Sequence, residues 1–151
     1  MGERVVVVRS DAGTDYDLGD VTHISVRLSG EDSGGALTVF EVSGEVVRSP
    51  DDARLHLHED FTEVFYLLEG SVDLVTQDHR ELDLGPGSII VVPPGVAHGL
   101  APNGRWRHVT FVIPGGYDRY FAEVADAIAD HGPAADRTTI SARYGTYPVD
   151  H

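Results

Sequence analysis

Seven short apolar runs recur along the chain, "RVVVV", "HISVRL", "ALTVFEV", "EVFYLL", "SVDLVT", "SIIVV" and "WRHVTFVI". They are rich in β-branched and aromatic residues, and turn residues separate them, among them Gly34-Gly35, Ser49-Pro50-Asp51, Gly85-Pro86-Gly87 and Pro93-Pro94-Gly95. Many short strands punctuated in this way predict an all-β sandwich or barrel. "EVFYLL" is apolar on both faces, so it needs cover on both sides, from a second layer or from a partner subunit.

After Gly116 the period changes. Tyr117, Tyr120, Phe121, Val124 and Ile128 recur at helical spacing while acidic residues fall mostly elsewhere, which predicts one amphipathic helix over about 117–130 laid on the β-body. "DHGPAADRTT" reads as a surface loop, and "ISARYGTYPVDH" as a tail that adds an edge strand or stays mobile. With no internal repeat, the 151 residues fit one domain, 1–151, with the β-body over about 20–114.

Composition narrows the chemistry. The chain has no cysteine and no lysine, which removes disulfides, thiolate nucleophiles, zinc-thiolate sites and Schiff-base chemistry. A net charge of −14 repels phosphate backbones and anionic lipid, so neither nucleic acid nor a membrane surface is expected as a partner. No apolar run approaches the roughly 18 residues a bilayer span requires, and the start "MGERVVVVRSDAG" is too short in apolar residues for a signal peptide. A cytoplasmic protein is the expectation.

The chemistry-bearing stretch is "LHLHEDFTEVFYLLEG", residues 55–70. Side chains alternate across a strand, so His56 and His58 share a face, and along the next run Glu63, Phe65 and Leu67 share one too. A fourth donor follows "GPGSIIVVPPGVAHGL": the prolines stop a fully apolar strand, the chain turns, and His98 returns towards the body. Three imidazoles and a carboxylate suit a borderline divalent ion such as Fe, Ni, Mn, Cu or Zn, with positions left open for substrate. Spacing alone equally allows hydrogen-bonded surface histidines.

These residues also resemble the two cupin motifs. The first has the form HxH, four residues, E, six residues, G, met by His56, His58, Glu63 and Gly70; the second has G, five residues, PxG, two residues, H, met by Gly87, Pro93, Gly95 and His98. Sixteen residues separate Gly70 from Gly87. Two departures are turn residues: Pro50 replaces the glycine six before the first histidine, and Asn103 falls one residue later than the family's asparagine, with Pro102 in its place. The flanks resemble small single-domain bacterial cupins of the quercetin dioxygenase-like group. The resemblance implies a double-stranded β-barrel, or jelly roll, with one divalent transition metal held by His56, His58, Glu63 and His98. It also implies a homodimer.

Three functions remain open on this reading. One is a metal-dependent dioxygenase acting on a small aromatic, enolic or polyketide-like substrate, with Glu63 as ligand and proton acceptor. Another is a cyclase, isomerase or decarboxylase that uses no dioxygen. The last is a small-molecule-binding module without turnover, which ranks lowest because regulatory cupins usually carry a DNA-binding domain, for which this acidic chain has neither room nor charge. Phe40, Phe65, Leu67 and His108 are candidates for the substrate pocket, Phe40 on a strand whose facing the sequence leaves unfixed. His23, His79, His131 and His151 are expected to be non-ligands, as is His108.

Overall fold

The computed structural model describes residues 4–19 and 22–150, so the expectation for His151 lies outside the described residues. Its strands are β1 (Thr14–Asp17), β2 (Thr22–Leu28), β3 (Thr38–Val47), β4 (His56–His58), β5 (Thr62–Glu69), β6 (Val72–Thr76), β7 (Arg80–Leu84), β8 (Ile89–Val92), β9 (His98–Ile113) and β10 (Thr146–Pro148). Two helices, α1 (Asp118–His131) and α2 (Thr138–Arg143), lie between β9 and β10.

All the ladders are antiparallel, and β9 organises them. Its first five residues pair with β6 and begin opposite β4, His98 facing His56. Its remainder pairs with β3 on one side and β5 on the other. Two sheets therefore share this strand, β1-β2-β3-β9-β5-β8 and β10-β4-β9-β6-β7. Pro102 and Gly104 sit where β9 passes from one sheet to the other, which is where a missing N–H and a flexible residue are tolerated.

Strand alternation fills the space between the sheets. From β3, Phe40 and Val42 point inward; from β9, Trp106 and Val112; from β5, Phe65 and Leu67; Val72 of β6 and the partly buried Leu100 join the same cluster from the other sheet. A smaller cluster of Ala53, Leu55, Val75 and Ala101 packs on the far side of β4. Gly70 closes the β5–β6 turn at φ +72°, and an added Cβ there would stand 2.0 Å from the Arg105 carbonyl oxygen, so the turn excludes every larger side chain.

The helix falls where its periodicity predicts. Phe121 and Val124 are buried, Tyr120 and Ile128 pack beside them, and Phe121 meets Phe40 edge-on at 4.8 Å between ring centroids. Asp118 anchors its start by accepting from the Gly30 N–H and the Thr38 hydroxyl, both at 2.9 Å.

One expectation is corrected. "RVVVV" forms no strand: Val5 is 89% and Val7 75% exposed, because an apolar run without a neighbouring strand has nowhere to place its backbone hydrogen bonds. The tail adds an edge strand, as one of its two expected outcomes: β10 pairs with β4 at the end of the sheet, and the short helix α2, which the sequence reading did not expect, precedes it. On the outer face of "EVFYLL", Tyr66, Ile89, Val91 and Ile113 are exposed large apolar residues on neighbouring positions of β5, β8 and β9, so of the two expected sources of cover no second layer is present there among the described residues, which leaves a partner subunit.

Candidate metal centre and pocket

Alternation along β4 turns His56 and His58 to the interior, and the His56–His98 register sets the third imidazole across from the first. The Pro93-Pro94-Gly95 turn fixes the approach of His98, with Gly95 at φ +80° donating its N–H to the His58 carbonyl at 2.7 Å. Glu63 reaches the same point from β5. His58, Glu63 and His98 are buried and His56 is partly buried, and one donor atom from each of the four lies within 4.8 Å of all the others.

The outward nitrogens explain why the inward ones converge. His56 Nδ1 donates to the Arg54 carbonyl at 3.1 Å, and His98 Nδ1 donates to the Val96 carbonyl at 2.9 Å. His58 Nδ1 lies 2.7 Å from the Thr146 hydroxyl, whose own proton is directed to the Tyr144 carbonyl 3.5 Å away. Each ring is thus oriented through Nδ1, leaving Nε2 for the interior. His98 Nε2 stands 2.9 Å and His58 Nε2 3.4 Å from Glu63 Oε1, yet the latter nitrogen is buried with no hydrogen-bond partner among the described residues. Donors about 2.1 Å from one ion stand roughly 3–4 Å apart, so the set, spread over up to 4.8 Å, fits a single divalent ion after its widest separations close by about 1 Å, and an ion accounts for the orphaned His58 nitrogen.

The electrostatics agree with this arrangement. Burial and the neighbouring imidazoles push His56 down to about 4, which keeps it neutral and able to donate a lone pair. Burial would raise Glu63, but the His58 and His98 imidazoles outweigh it and hold the carboxyl below its usual range. Burial would lower His98, but its bond to Glu63 and the Glu63 charge raise it. Without metal, His98 and Glu63 form a buried ion pair whose proton an incoming cation must displace.

The interior opens beside His56, Glu63 and His98 into a cavity of about 270 Å³. Phe40, Phe65 and Trp106 supply aromatic wall. Leu67, expected in the pocket, does not line it: it is 1% exposed and fills the core opposite His108. His108 does line it. Trp106 Nε1 donates to His108 Nδ1 at 3.2 Å, and an indole N–H can only donate, so neutral His108 carries its proton on Nε2. Burial pushes His108 down to about 4 and keeps it neutral. The Thr110 hydroxyl is a further buried polar atom on this wall without a hydrogen-bond partner among the described residues.

Of the remaining histidines, His23 and His79 are exposed near Asp15 and Glu81, and His131 is exposed at the end of α1. Sequence reasoning missed four residues around the site. Arg48, Arg54 and Trp106 share the strand parity of Val46, His56 and His108, a signal that was available. Thr146, on a three-residue strand beyond α2, left none.

Residues 41–113 match the family described as the cupin domain. The chain is 29% identical over 126 residues to quercetin 2,3-dioxygenase of Bacillus subtilis; the match covers 83% of the chain but 36% of that enzyme, so the chain spans about a third of its relative's length. Among solved structures, KdgF from Halomonas sp. superposes with a TM-score of 0.60 at 16% identity, covering 76% of this chain and 99% of that one. The polyketide cyclase RemF from Streptomyces resistomycificus superposes with a TM-score of 0.56 at 22% identity, covering 73% and 80%. Both likenesses are of fold. Among the described residues, no helix is long and apolar enough to cross a membrane.

Proposed function

The chain is a small cupin, and from that premise we propose that it is a metal-dependent enzyme, a dioxygenase acting on a small aromatic or enolic substrate. The observation that carries the proposal is the convergence of His56, His58, Glu63 and His98 on one point, with each imidazole held from behind through Nδ1. The relationship to a quercetin dioxygenase favours oxygen chemistry over the other uses of such a centre.

A divalent ion held there would supply Lewis-acid polarisation of a substrate oxygen and, if redox-active, activation of dioxygen. The chain's own residues do the rest. Phe40, Phe65 and Trp106 sandwich a flat body and exclude water from it. The Glu63 carboxylate, ionised at neutral pH, accepts the proton of an enol or phenol hydroxyl brought beside it. The His108 Nε2–H donates to a second substrate oxygen, and Trp106 holds it in that tautomer. Neutral imidazole suits this role because it gives a hydrogen bond without adding a charge that would oppose the metal.

The test is dioxygen consumption by metal-reconstituted protein across a panel of flavonols, enols and phenols, with products identified by mass. Uptake of two oxygen atoms per turnover supports the proposal. A second reading is favoured by the RemF fold likeness, which shows that this architecture also hosts a polyketide cyclase: turnover that continues without dioxygen would establish a cyclase, isomerase or decarboxylase.

A further inference from the structure

The chain carries a net charge of −14, yet the cavity beside the candidate metal centre has the opposite sign. Its lining holds two arginines, Arg48 and Arg54, against one carboxylate, Glu63, which belongs to the ligand set. Strand geometry places both arginines there. Arg48 follows β3 with the inward parity of Phe40, Val42 and Val46, and its N–H donates to the Pro102 carbonyl at 2.9 Å. Arg54 has the parity of His56 and His58 and supplies the carbonyl that orients His56.

Four other arginines, Arg27, Arg80, Arg107 and Arg143, each pair with a carboxylate. Neither the half-buried Arg48 nor Arg54, which is exposed, makes a side-chain hydrogen bond or ion pair among the described residues. In a chain with 25 acidic residues, two unpaired guanidinium groups on one cavity wall form an anion-recognition element, because guanidinium meets a planar oxyanion through charge-assisted, paired hydrogen bonds. The aromatic wall selects a flat body, and the arginines select a charged end.

We propose that the pocket takes an aromatic acid, whose carboxylate is held by Arg48 and Arg54 while its apolar body lies against Phe40, Phe65 and Trp106 towards the metal-ligand set. This rests on the reading of the interior as a substrate pocket, and it adds a substrate class to that reading.

The test is calorimetric binding of 6-hydroxy-2-naphthoate and of its primary amide, which keeps the shape and removes the charge, to metal-free and to metal-loaded protein. The acid is expected to bind at least about tenfold tighter than the amide in both states, the scale of a hydrogen bond to a charged group. Arg48→Gln and Arg54→Gln should each bring that ratio to within about threefold while leaving amide affinity unchanged, which damage to the pocket would not do. Equal affinities for acid and amide, no measurable binding of the acid, or a preference that survives both substitutions would overturn the proposal. Tighter binding of 2-naphthyl phosphate than of the acid would overturn the carboxylate assignment. The outcome is separate from that of the proposed function: acid preference without metal retention or turnover would defeat the enzyme and leave the acid site standing.

Discussion

Replacing Thr146 with valine removes one oxygen from behind the candidate metal centre and almost no volume. Thr146 is buried and stands 2.7 Å from His58 Nδ1. In Thr146→Val the His58 N–H faces a methyl group, and a buried donor left unpaired costs about 1–3 kcal/mol. The ring can escape by moving its proton to Nε2, which lies 3.4 Å from Glu63 Oε1. That tautomer cannot bind a cation until the proton is displaced. Loss of an orienting partner of this kind lowers metal affinity about 10- to 100-fold, or roughly 1.4–2.7 kcal/mol. Thr146→Ser keeps the hydroxyl and should restore affinity to within a few-fold. Chelator competition at fixed pH measures this directly, and the melting temperature of the metal-free variant should fall by about 2–4 °C per kcal/mol lost. If Thr146→Val bound metal within twofold of wild type, His58 would not depend on this contact, and the account of how the site is oriented would be wrong.

Glu63→Gln at saturating metal should retain the ion, bound about 10- to 100-fold more weakly, while turnover of a confirmed substrate falls about 100- to 10,000-fold; an unchanged rate would make Glu63 a ligand only. Because Glu63 raises His98 above its ordinary 6.5 in the metal-free protein, metal affinity should increase with pH through that raised value, by about tenfold per unit while one proton is displaced, and a flat profile in chelator titrations from pH 6 to 8 would refute the ion pair. The metal-free protein should show the opposite dependence, since the His98 contribution to stability is full below 6.5 and is lost as pH rises through the raised value. The outer apolar face of β5, β8 and β9 predicts a homodimer, so light scattering should give about twice 16.3 kDa, and Val91→Glu should return the chain to a monomer.

The convergence of His56, His58, Glu63 and His98 was legible because its geometry is local. HxH on one strand fixes a common face, and a proline-glycine turn three residues before His98 brings a fourth donor back to it. The α1 helix was legible for the same reason, its five apolar positions repeating at helical spacing. What escaped depends on distant pairing. β7, "RELDL", alternates only over Glu81–Leu84, too short a run to stand out, and its Leu82 is exposed rather than buried. β9 runs through Pro102 and Gly104, residues that locally signal a break but here mark a change of sheet. Thr146 touches His58 across 88 positions of sequence, on a strand of three residues that nothing in its own neighbourhood distinguishes. The run "RVVVV" fails in the other direction, being strand-like in composition but without a partner strand.

The central claim is that four side chains form one metal site, and the metal content of the folded protein tests it most directly. Plasma mass spectrometry of the protein as isolated, and again after stripping and reconstitution with Fe, Ni, Mn, Cu or Zn, should give one divalent ion per chain, with paired His56→Ala and His98→Ala substitutions abolishing it in a chain that still folds. Well under one equivalent in folded, reconstituted wild-type protein, or full occupancy in the doubly substituted chain, would contradict the account.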